Sequence, residues 1–173
     1  RTRCAMAACP DVMRPTLALL AGGLVAGCGM PTPTSTCGPA SATVARAIDG
    51  DTIELADGKK VRMLLVDTPE STNGKTDCYG HEAAQFTSDK VLGKTVQLTY
   101  DDASCTDRYG RLLAYVKVDG VEMNRLLAEQ GYACILYIAP AGTSRRDEFE
   151  TYESQAKTAR LGMWGKCSVV TCE

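Results

Sequence analysis

The chain has 173 residues, 45% of them apolar and 23% charged. That mix builds one domain around one core and excludes an intrinsically disordered chain. A net charge of −2, from 19 Lys and Arg against 21 Asp and Glu, excludes binding of a polyanion by bulk charge, so any phosphate chemistry must be local. Nine cysteines point to an oxidising compartment.

In chain order, residues 13–28 come first. They join a basic start at Arg14 to an apolar run of about a dozen residues, too short to cross a bilayer core of ~30 Å. The run ends in Val25-Ala26-Gly27-Cys28. This resembles a bacterial lipobox, with Cys28 as the lipidated residue. Met13 reads as the start, so residues 1–28 are an over-extended start plus a lipoprotein signal peptide. The expected location is extracytoplasmic and lipid-anchored. Gly29 stands where an aspartate would retain a lipoprotein in the inner membrane, which favours the outer membrane in a diderm host. Residues 29–40 are rich in Pro, Thr and Ser and read as a linker. Residues 41–173 form the folded domain.

Strand patterns follow at Thr43–Ile48, Thr52–Leu55, Lys60–Val66, Val96–Tyr100 and Leu112–Val118. Asp49-Gly50, Asp57-Gly58 and Asp119-Gly120 mark turns. Helical spacing covers Tyr79–Leu92, Met123–Gln130 and Ser144–Leu161, stopped by Gly93, Gly131 and Gly162. In the third helix Phe149, Tyr152, Ala156 and Ala159 share one face. Five short strands with three helices predict an α+β chain: an OB-fold, here a five-stranded antiparallel β-barrel with helices outside.

Three polar clusters interrupt this pattern. Ile48-Asp49-Gly50-Asp51-Thr52 sets two carboxylates about a glycine turn. Arg62 to Glu70 places a guanidinium in an apolar strand, with Asp67 and Glu70 flanking Thr68-Pro69. Strand alternation alone would put Arg62 and Asp67 on opposite faces, so the turn must redirect the carboxylates. Asp107-Arg108-Tyr109-Gly110-Arg111 opens the next strand. Singly, these read as a turn, a structural ion pair and a surface charge. Together they supply oxygen ligands for a hard cation, two arginines for a phosphate and one carboxylate to deprotonate water.

In this order and spacing, the three clusters resemble the staphylococcal nuclease family, from about Val44 to Trp164. The resemblance implies an OB-fold and a Ca²⁺-dependent endonuclease that hydrolyses DNA and RNA to 3′-phosphate ends. By residue, it puts the metal on Asp51, Asp67 and the Thr68 carbonyl, and catalysis on Arg62, Glu70 and Arg111. Tyr109 and Tyr137 become substrate-binding residues. Single strands are the preferred substrate, the chain is a monomer, and the lipid supplies a membrane contact. Ala139 departs from the pattern, which has a second tyrosine there, and this weakens expected substrate binding. The alternative is a non-catalytic nucleic-acid-binding or structural OB-fold domain; retention of Arg62, Glu70 and Arg111 argues against it. Within the family's fold, the six remaining cysteines are expected to pair as Cys78–Cys105, Cys134–Cys167 and Cys37–Cys172. His81 reads as a surface residue.

Overall fold

The computed structural model describes residues 36–72, 74, 76–101 and 103–172. The lipobox and Cys28 lie outside the described residues. The elements run β1 (Ser41–Ala47), β2 (Thr52–Leu55), β3 (Lys60–Met63), β4 (Leu65–Asp67), α1 (Gly80–Val91), β5 (Thr95–Tyr100), β6 (Leu112–Val118), β7 (Val121–Glu122), α2 (Met123–Glu129), β8 (Cys134–Leu136), a 3₁₀ turn at Thr143–Arg145, α3 (Arg146–Thr158) and α4 (Met163–Lys166).

Alternation decides which face each strand buries. In β5, Val96 and Leu98 point inward while Thr95, Gln97 and Thr99 face out. Antiparallel pairs β1–β2, β2–β3, β1–β5 and β5–β6 make four sides of a barrel. The fifth side, β3–β6, is parallel, with Val61, Arg62 and Met63 beside Leu112, Leu113 and Ala114. The barrel is therefore mixed rather than wholly antiparallel. A closed ring with an odd number of strands cannot reverse direction at every pairing, so one pair must run parallel. Ile53, Val61, Val96 and Val116 fill its interior, and Met123, Leu127 and Phe149 seal it from α2 and α3. Each such side chain contributes about 1.5–3 kcal/mol by leaving water.

The expected strand Lys60–Val66 is broken. Leu65 has φ 63°, a left-handed backbone that strands do not adopt. The chain there leaves the barrel, and β4 pairs instead with β8 (Leu65 with Leu136, Asp67 with Cys134). The three-residue β8 carries no readable period. The third helix ends at Thr158, so Ala159 lies beyond its last turn and is exposed. His81 is exposed in the first turn of α1.

All three disulfides differ from expectation. Cys37 pairs with Cys105, Cys78 with Cys167, and Cys134 with Cys172; Cys78–Cys105, Cys134–Cys167 and Cys37–Cys172 do not form. Residues 38–40 run against β5: Leu98 N–H donates to Ala40 O and Tyr100 O–H to Pro39 O, each at 2.9 Å. That path sets Cys37 beside Cys105, just past β5. At the other end Met163 N–H donates to Gly131 O, so α4 docks next to Tyr132. The Tyr132 ring packs 5.3 Å from Tyr79, which brings Cys167 to Cys78 and leaves Cys172 for Cys134.

Candidate active site

The break at Leu65 builds the site. Beyond the left-handed residue the alternation is reset, so Asp67 turns toward Arg62, five residues earlier. The redirection occurs inside the strand, not at Thr68-Pro69. Arg62 Nη2 donates to Asp67 Oδ1 at 2.7 Å, and Nη1 meets Asp51 Oδ2 at 2.5 Å and donates to Val66 O at 2.7 Å. All three side chains are buried, with 9% or less of each residue exposed. Burial opposes the charge on Arg62, but the facing carboxylates of Asp51, Asp67 and Asp49 outweigh it and raise its pKa further.

Asp51 is held at every oxygen. Thr52 Oγ1 donates to Oδ1 at 2.9 Å, and Thr68 N–H donates to Oδ2 at 2.8 Å. The Asp49-Gly50 turn fixes its backbone, since Asp49 Oδ1 accepts from the N–H groups of Asp51 and Thr52 at 3.1 and 2.7 Å. Gly50 is required for close approach: a Cβ there would come within 2.7 Å of the Thr68 side chain. Burial and the neighbouring Asp51 charge push the Asp49 carboxyl up to about 7.

Glu70 is half-buried, and its Oε2 accepts from Thr72 Oγ1 at 3.3 Å. Its carbonyl accepts from Asp77 N–H at 2.9 Å, tying its loop to the start of α1. Asp107 organises the third cluster. Its Oδ1 accepts from the N–H groups of Tyr109 and Arg111, and its Oδ2 takes Arg111 Nε at 2.6 Å. Burial would raise the Asp107 pKa, but these hydrogen bonds overcome it and lower the pKa. Among the described residues the two terminal nitrogens of Arg111 take no protein partner in a hydrogen bond. Tyr109 is 67% exposed, with Arg108 and Arg111 against its ring.

Asp51, Arg62, Asp67, Glu70, Tyr109 and Arg111 line one cleft of about 720 Å³. Tyr137 is not among its lining residues. Its hydroxyl lies 2.7 Å from Thr143 Oγ1 and Arg146 covers its ring, while Ile138 and Ala139 reach the cleft instead. Among the described residues no group of three or more His, Cys, Asp or Glu side chains is arranged to hold a metal. The donors that are present, two buried carboxylates converging on one guanidinium, are hard oxygens. They fit a cation such as Ca²⁺ that accepts carbonyls and waters for the rest of its 6–8 ligands. Sequence reasoning gave no role to Arg108, which lines the cleft, or to Asn124. The signal for Asn124 was an amide on the apolar face that runs from Met123 to Leu127.

Comparison with known proteins gives the family. The family model described as staphylococcal nuclease homologue matches residues 60–166. Endonuclease YncB of Bacillus subtilis (strain 168) is 42% identical over 134 residues, covering 75% of this chain and 64% of that protein. The SPbeta prophage-derived endonuclease YokF of the same organism is 38% identical, over 75% of this chain and 45% of its own length. The chain thus spans less than two thirds of either Bacillus protein. The thermonuclease of Staphylococcus hyicus is 38% identical over 126 residues, 70% of this chain and 73% of that protein. With a match across most of the barrel and helices and a relative covered over nearly three quarters of its length, this chain belongs to the staphylococcal nuclease family.

Proposed function

We propose that the chain is a Ca²⁺-dependent endonuclease that hydrolyses phosphodiester bonds in DNA and RNA, leaving 3′-phosphate ends. The observation that carries this reading is the single cleft shared by Asp51, Arg62, Asp67, Glu70 and Arg111. Asp51, Asp67 and the Thr68 carbonyl would hold the calcium, which when bound supplies Lewis-acid polarisation of the phosphate. Arg62 has five N–H groups, three of them engaged by Asp51, Val66 and Asp67. The other two, with the terminal nitrogens of Arg111, donate to the phosphate oxygens as charge grows on them. Glu70 accepts a proton from water as the water oxygen bonds to phosphorus. The P–O5′ bond breaks, the leaving oxygen is protonated by solvent, and the phosphate stays on the 3′ side. Tyr109 offers an exposed ring for stacking a base, which favours single strands.

A zymogram on DNA and RNA gels tests this reading. Clearing with Ca²⁺, none with chelator, and phosphatase-sensitive 3′ ends are expected. Undiminished clearing in excess chelator removes the metal role, and no clearing in any condition leaves a binding or structural domain. A lipid-anchored, extracytoplasmic location is proposed with it, from the lipobox at residues 25–28, and the chain is proposed to act as a monomer. A Cys28→Ala chain should lose its lipid label and partition from membranes into the soluble fraction; an unlabelled wild-type chain refutes the anchor.

A further inference from the structure

Asn124 lies on α2, outside the cleft, with no exposed surface. Its amide joins three points of backbone. Nδ2 donates to Leu64 O at 2.9 Å and to Ala114 O at 3.2 Å, and Oδ1 accepts from Val116 N–H at 2.9 Å. Every bond of this buried group is directional and made at a cost of desolvation, so the amide fixes where those backbones sit. Leu64 is the residue immediately before the left-handed Leu65. Leu64 N–H also donates to Ala114 O at 3.1 Å, so both polar groups of Leu64 are pinned to β6 and α2.

The opposite side of the break is pinned as well. Gly142 packs so closely on Leu65 that a Cβ would fall 2.7 Å from its side chain, and Asp101 Oδ2 holds Gly142 N–H at 2.6 Å. The break is thus clamped between α2 below and the 138–142 loop above. Arg62 lies two residues before Leu64 and Asp67 three residues after it. Any relaxation of the Leu64–Leu65 backbone changes the distance between them.

We propose that Asn124 is a positioning residue for the active site: by clamping Leu64 it sets the strand break that brings Asp67 against Arg62 and Asp51. This rests on the functional reading above where calcium and catalysis are concerned, but the Arg62–Asp67 contact itself needs neither. A purely structural asparagine would affect stability and leave the cleft of the folded protein unchanged.

The test uses the full chain with Asn124→Leu, which keeps volume and removes all three bonds, and Asn124→Ala as a second variant. Three readouts are taken under conditions where circular dichroism shows a folded chain: ¹⁵N chemical shifts and solvent exchange of the Arg62 guanidinium without metal, Ca²⁺ affinity by calorimetry, and kcat and KM on a short single strand. Expected are faster exchange of the Arg62 N–H groups, a loss of Ca²⁺ affinity of about tenfold or more, and a fall in kcat of similar size with KM little changed. If neither variant folds in buffer, the measurements are made in trimethylamine N-oxide, which favours compact states. A folded variant with wild-type Arg62 exchange, or failure of both variants to fold even there, overturns the proposal. Wild-type protein that shows the protected Arg62 signal but neither binds Ca²⁺ nor cuts would refute the functional reading alone, while the Arg62 exchange comparison still decides the role of Asn124.

Discussion

Arg62 is the group on which the cleft's electrostatics depend, and Arg62→Met isolates that dependence. The guanidinium bridges Asp51 at 2.5 Å and Asp67 at 2.7 Å in a buried setting. Methionine fills similar space but leaves two buried carboxylates without their cation. Removing one partner of such a pair costs about 3–5 kcal/mol. Arg62→Lys keeps the charge but has one ammonium for two diverging acids and a backbone carbonyl, so it should fall between wild type and Met. Calcium gives the second half of the test. At a hundredfold excess over its Kd, a ligand that binds only the folded state adds about 2.7 kcal/mol. If Asp51 and Asp67 hold the ion as proposed, in wild type it would enter a site whose acids already have a counter-charge. In Arg62→Met it supplies the only one, so its stabilising increment should be larger. Urea unfolding with and without Ca²⁺ measures both quantities. A calcium-free Arg62→Met chain within about 0.5 kcal/mol of wild type, the range of an ordinary surface change, would refute the buried triad. In the same variants kcat should fall more than tenfold, on the order of 1.4 kcal/mol of transition-state stabilisation, and a change confined to KM would refute the transition-state role.

Glu70→Gln should keep the fold, since the side chain is half-buried and, among the described residues, accepts from the Thr72 hydroxyl alone, while kcat falls about 10²–10⁴-fold; single-turnover cleavage checks this. The Cys78–Cys167 bridge closes 89 residues, so Cys78→Ser/Cys167→Ser should lose about 4–5 kcal/mol on the chain-entropy model. Its urea midpoint measures that loss, and its kcat should also fall because Cys78 adjoins the Glu70 loop. Arg145 donates to both oxygens of Glu148 and holds that carboxyl down at about 2 against an ordinary 4.5. A depressed carboxylate stabilises fully above its unfolded pKa and loses that contribution as pH falls toward its folded one. Thermal melts should therefore show Glu148→Gln below wild type at pH 7, with the gap closing as pH drops from about 4.5 to about 2 and narrowing in high salt.

Local chemistry sufficed for much of this protein. The Asp57-Gly58 and Asp119-Gly120 hairpins, the alternation of β5, the spacing of α2 and the three polar clusters all act over a few residues, so they can be read in order along the chain. That Arg62 needs an anionic partner was likewise legible, because a guanidinium in an apolar strand is untenable alone. Which partners it takes was not. Period-two reasoning set Asp67 on the far face from Arg62, and only the break at Leu65 reverses that. The break is held by Asn124 from α2, 60 positions beyond Leu64, and by close packing of Gly142, 77 positions beyond Leu65. The parallel closure of the barrel follows from counting strands in a ring, a property no single strand carries. The cysteines show the limit most plainly. Six thiols allow fifteen pairings, and the pairing adopted depends on where residues 38–40 and α4 dock, which packing against β5 and Gly131 decides. Sequence determined the chemical groups and their local frames; the distances that turn them into one cleft arise from contacts between elements far apart in the chain.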